Sequence, residues 1–104
     1  MKAGRLGVGS TVANTLKKFY QVPDDAKKAT VNINISNRAP GAIKVRLAIA
    51  LTDAPTVDEY VEYDETLQRG KPLERTGFAL SPGERVFVWS DNAAVSVRVH
   101  GFEE

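Results

Sequence analysis

The stretch GRLGVGST (residues 4–11) has residue types and spacing that could do chemistry. Gly4, Gly9 and Thr11 occupy three fixed positions of a phosphate-binding loop, G-x-x-x-x-G-K-[ST], whose backbone amides and lysine would hold a nucleotide. Ser10 stands where the lysine belongs, and only three residues precede Gly4. VANTLKKFY follows, a β-branched and aromatic stretch where such a loop needs a helix. Gly7-Val8-Gly9 fails as a dinucleotide fingerprint, because Val12 replaces the third glycine. The glycines read instead as an extended, flexible N-terminal arm over residues 1–11, ahead of a domain at 12–104.

The remaining chemical candidates are weaker still. His100 is the only histidine and there is no cysteine, so multi-histidine and thiolate metal sites are excluded. The acidic run Asp53, Asp58, Glu59, Glu62, Asp64 and Glu65 lacks the spacing of a calcium loop and shows no fixed carboxylate pair. A solvated or interface-facing acidic surface is the expectation. Lys17-Lys18-Phe19-Tyr20 mixes basic and aromatic residues, as nucleic-acid sites do, but reads as a strand with one aromatic in the core. Trp89, the only tryptophan, is either a core aromatic or a stacking platform for a ligand. No catalytic residue, metal ligand or cofactor site is expected.

Composition sets the frame. Hydrophobic residues make up 42% and charged residues 26%, as in a single globular domain. No apolar run is long enough for a membrane span or a signal peptide, and the lack of cysteine fits a reducing cytoplasm. The net charge of +1 argues against direct nucleic-acid binding. Residues 1–52 carry nine Lys/Arg against two Asp, net +7, and residues 53–104 carry five against eleven, net −6. Either the halves interleave in space and the asymmetry vanishes, or the molecule has a basic and an acidic face that copies join head to tail.

Period-two alternation dominates the elements. TVNINIS (30–36) and AIKVRLAIAL (42–51) read as half-buried strands, with Ile33, Val45 and Leu47 inward and Asn34, Lys44 and Arg46 outward. Leu51 is also expected inward, and NRAPGA between the two supplies a hairpin loop. Further strands are expected at 15–22, 61–66, 73–80, 84–90 and 94–102; Val97 and Val99 point inward and Arg98 outward. SPGE (81–84) and DNA (91–93) form turns. Thr56 and Glu59 form a capping box for one helical turn. Seven or eight short strands with no long helix make an antiparallel β-sandwich, immunoglobulin-like or jelly-roll in its connections.

Three pieces of the chain carry a resemblance: FYQVPDDAKKATVNINISNRAPGAIKVRLAI (19–49), YVEYDETL (60–67) and LSPGERVFVWSDNAAVSVRVHGFEE (80–104). In this order they resemble small β-sandwich proteins encoded by tailed bacteriophages and prophages. That family has a -YTVP- strand, a strand ending in CNR or SNR, a -VRLA- strand, a -YxEYDxxL- strand and a closing -PGERV- to -VSVRV-GxEE segment. The resemblance implies a non-enzymatic virion component of collar, neck, tail, fibre-attachment or head-decoration type. It would be made in the host cytoplasm and assembled with other virion proteins and copies of itself, with no small-molecule substrate, nucleic-acid or membrane partner. The expected assembly residues are Lys2, Arg5, Lys17, Lys18, Lys27 and Lys28 against Asp58, Glu59 and Glu62. A carbohydrate-binding or adhesion module using Trp89 and the tyrosines is the alternative.

Overall fold

The computed structural model describes residues 2–104. Eight strands follow one another: β1 (Lys2–Ser10), β2 (Lys17–Gln21), β3 (Ala29–Asn37), β4 (Ile43–Ala50), β5 (Tyr60–Leu67), β6 (Pro72–Leu80), β7 (Arg85–Ser90) and β8 (Val95–Glu103). A 3₁₀ turn at Val57–Glu59 is the helical element among the described residues, at the position of the Thr56/Glu59 signal. The strands form two four-stranded antiparallel sheets, ordered β1-β8-β3-β6 and β2-β7-β4-β5. The chain is an all-β sandwich. Among the described residues, no helix is long and apolar enough to cross a membrane.

The core is a double layer of β-branched side chains. Val31, Ile33 and Ile35 of β3 and Val95, Val97 and Val99 of β8 meet Val45 and Leu47 of β4 and Val86 and Val88 of β7. All are almost completely buried, and each such side chain contributes about 1.5–3 kcal/mol relative to exposure. Lys44 and Arg98 point to solvent, and Asn34 and Arg46 are half-buried on the outer faces. The alternation therefore assigned the inner and outer faces correctly. Leu51 departs from it: β4 ends at Ala50, and Leu51 is exposed.

Strand partners differ from those the turns suggested. β3 and β4 are not a hairpin; β3 pairs with β6 and β8, and β4 lies in the other sheet with β5 and β7. The NRAPGA loop carries the chain across the sandwich. Buried Asn37 fastens that crossing: its Nδ2 donates to the Gly41 carbonyl (2.9 Å) and the Leu67 carbonyl (3.0 Å), and its Oδ1 accepts from the Ala39 amide (2.8 Å). The SPGE and DNA turns likewise switch sheets, so β4–β5 is the sequential hairpin among the described residues.

The glycine-rich N-terminus is also corrected. Met1 lies outside the described residues, and residues 2–10 are an edge strand of the first sheet rather than a free arm. Leu6 packs on the core. Gly7 is where β1 crosses closest to β2: a Cβ there would sit 2.1 Å from the Phe19 carbonyl oxygen. Gly4, at φ +104°, pairs with Gly101, at φ +147°, whose Cβ would lie 2.0 Å from the Thr30 oxygen. Close backbone approach explains Gly7 and Gly101, and the left-handed φ explains Gly4, whose added Cβ would meet nothing within 4 Å.

This packing makes Gly7→Ala costly and Gly41→Ala cheap. Urea unfolding should show a loss of about 1–3 kcal/mol for Gly7→Ala. Gly41, where an added Cβ meets nothing within 4 Å, should change stability by under about 0.5 kcal/mol on mutation to Ala. Equal effects would contradict the seating of β1 against β2.

Candidate functional site

The expected assembly residues fall in three places. Lys2, Arg5, Lys17 and Lys18 lie on edge strands β1 and β2. The Lys17 Nζ donates to the Ser10 carbonyl (3.0 Å) and lies 5.3 Å from the Phe19 ring centre, tying β2 to β1. A bulge between Lys18 and Tyr20 settles the conflict between basic and aromatic residues on this strand. Tyr20 turns inward, while Lys18 reaches Gln21 (3.0 Å) and Asp53 (3.8 Å).

Lys27 and Lys28 sit elsewhere, against the end of β8. The Lys27 amide donates to the Glu104 carbonyl (2.6 Å), and the Lys28 ammonium pairs with the Glu104 carboxylate (3.6 Å). Beside them is a cleft of about 330 Å³ lined by Lys2, Asp25, Ala26, Glu103 and Glu104. The Tyr20 hydroxyl donates to Glu103; burial first, then this carboxylate, pushes the phenol above its ordinary value.

Asp58, Glu59 and Glu62 lie across the molecule. Asp58 is exposed on the 3₁₀ turn. The Glu59 carboxylate accepts from the Thr56 amide (2.9 Å), which holds it below its ordinary range. Glu62 pairs with Arg75 of β6, closing the gap between the sheets at their β5 and β6 edges. Asp53 pairs with Arg85 (2.8 Å). Much of the acidic run is thus committed to bonds within the chain.

A cluster not anticipated as a unit lies on the outer face of the second sheet. Arg46 of β4 stands opposite Trp89 of β7, its guanidinium 4.4 Å from the indole centre and 4.2 Å from the Tyr63 ring. The Arg46 Nε donates to Asp64 Oδ1 (2.6 Å), and Tyr60 meets Tyr63 edge-on at 5.2 Å. Asp64 reaches this position through a left-handed backbone, φ +53°, where β5 is bulged against β4. Next to it, Phe87, Ala48 and Ala50 form a second small apolar cluster under Leu16 and Tyr60. Alternation marked Arg46 as outward but left Trp89 as either core or surface, and the neighbour relation of β4 and β7 did not show in the sequence.

Trp89 is therefore not a core aromatic. Arg46 covers one face of Trp89 and one of Tyr63. Trp, Tyr and Arg are the residues that anchor protein–protein contacts, and Tyr63 remains 59% exposed. Among the described residues, no group of three His, Asp or Glu side chains is placed to hold a metal ion. No known family model matches the chain, and no curated protein matches it.

The Arg46 guanidinium holds the Asp64 carboxyl below its ordinary 3.8. A carboxyl lowered in the folded state stabilises the fold above the unfolded value and stops doing so as pH falls through the folded one. The Asp64 midpoint followed by NMR should lie below 3.8 and rise toward it in Arg46→Ala. An unchanged midpoint would contradict the pairing.

Proposed function

We propose that this chain is a non-enzymatic structural subunit of a tailed-phage virion, acting through multi-copy protein–protein assembly, and that its strands are wound as a jelly roll. The strand order supports the winding. Strands one and eight, two and seven, three and six, and four and five are neighbours, as when one long hairpin is rolled up. An immunoglobulin-like domain orders its strands ABED and CFG instead. Jelly rolls serve in viral capsids, though they serve lectins too, so the winding alone does not assign a role.

The observation that carries the reading is the combination of committed chemistry and uncommitted surface. Carboxylates that could have worked as acids or bases are held by Arg46, Arg75 and Arg85. Large apolar side chains stand in solvent: Val57 is 86% exposed, and Val61 and Tyr63 accompany it. Such side chains on a small domain favour association over catalysis. The -YVEYDETL- segment, one of the three pieces of the phage resemblance, supplies Tyr60, Val61, Tyr63 and Asp64 to this surface.

The test is quantitative mass spectrometry of density-purified particles from the phage or prophage that encodes the chain. The expected result is a fixed copy number relative to the major head protein. Absence from intact particles, with the chain present in the lysate, would overturn the reading.

A further inference from the structure

Both lateral sides of the sandwich are made by continuous stretches of chain, and their charges are opposite. Residues 2–21 form one side, with β1 and β2 as the edge strands of the two sheets. They carry Lys2, Arg5, Lys17 and Lys18 and no acid, net +4. Residues 57–80 form the other side, with β5 and β6 as its edge strands. They carry Asp58, Glu59, Glu62, Asp64, Glu65 and Glu74 against Arg69, Lys71 and Arg75, net −3. The interior strands mix the two halves of the sequence, so the large asymmetry of the chain survives at its edges.

Parts of these charges are free to meet a partner. Among the described residues, no carboxylate pairs with Arg5 or with Lys17, whose ammonium holds only the neutral Ser10 carbonyl and Phe19 ring, and no cation pairs with Asp58 or Glu65. Each side also offers exposed apolar side chains: Val8 and Val12 on the basic one, Val57, Val61 and Tyr63 on the acidic one. All four edge strands are bulged against their neighbours. Bulged edges resist ladder extension, so the meeting of two sides is a meeting of side chains.

We infer that these two sides form a head-to-tail contact, the β1/β2 side of one copy docking on the β5/β6 side of the next. The inference rests on the proposal that copies of this chain assemble together. A two-fold contact through either side would set like charges against each other. The heterologous contact sets +4 against −3 and repeats from copy to copy, giving a ring or an open row.

Sedimentation velocity on the full chain tests this with two variants, Arg5→Glu/Lys17→Glu and Asp58→Lys/Glu65→Lys, each checked for folding by circular dichroism. Wild type should associate with rising concentration. Its association constant should fall about tenfold between about 0.1 M and about 1 M salt, as the screening length drops from about 10 Å to about 3 Å. Either variant alone should stay monomeric. An equimolar mixture should regain association, because the unchanged β5/β6 side of the first variant then meets the unchanged β1/β2 side of the second. A monomeric wild type, or a mixture of folded variants that stays monomeric, would overturn the contact. Neither result touches virion membership, which particle composition decides separately. Restored association in a chain missing from particles would uphold the contact and overturn the virion reading.

Discussion

The ladder between β3 and β8 runs unbroken from Ala29↔Glu103 to Asn37↔Val95, and β4 and β7 pair unbroken from Val45↔Ser90 to Ala50↔Arg85. These two central ladders face each other and bring together Ile33, Ile35, Val97 and Val99 with Val45, Leu47, Val86 and Val88. The four outer ladders all shift register somewhere. Regularity is thus concentrated where burial is complete, since a one-residue slip there would turn the core side chains outward. Irregularity is left to the edges, where bulges increase twist and discourage open-ended pairing.

Pairing early strands with late ones has two consequences. It ties both ends of the described chain into the fold, through β1 on β8 and the Lys28–Glu104 pair. It also leaves four strands as edges, β1 with β2 on one side and β5 with β6 on the other. The charges of these edges are therefore neighbours in sequence as well as in space. Ion pairs such as Lys18–Asp53 and Arg46–Asp64 join the basic half to the acidic half within one copy. Among the charges they leave unpaired, Arg5 and Lys17 lie on one side of the molecule and Asp58 and Glu65 on the other.

Much of this was legible in the sequence, and the rest was not for identifiable reasons. Period two located seven strands and told inward Leu47 from outward Lys44, because alternation reports which side of a sheet is buried. It is silent on which strand lies alongside, so NRAPGA looked like a hairpin loop although Asn37 fastens a crossing between sheets. β1 was missed because Gly4, Gly7 and Gly9 dilute its alternation. Gly7 leaves room for the Phe19 backbone and Gly9 for the Phe19 ring, a need that depends on residues of another strand. The charge asymmetry was legible; that only its edge part stays segregated follows from the strand order. The Trp89–Arg46–Tyr63 stack needed both β4 neighbours to be known.

The central claim is that opposite sides of the sandwich meet in neighbouring copies. Zero-length carbodiimide cross-linking of an equal mixture of ¹⁴N- and ¹⁵N-labelled chain, read by mass spectrometry, tests it most directly. The account predicts mixed-isotope links joining Lys2 or Lys17 to Asp58, Glu65 or Glu74. Mixed-isotope links confined to like sides, or no links between copies at concentrations where the chain associates, would contradict it.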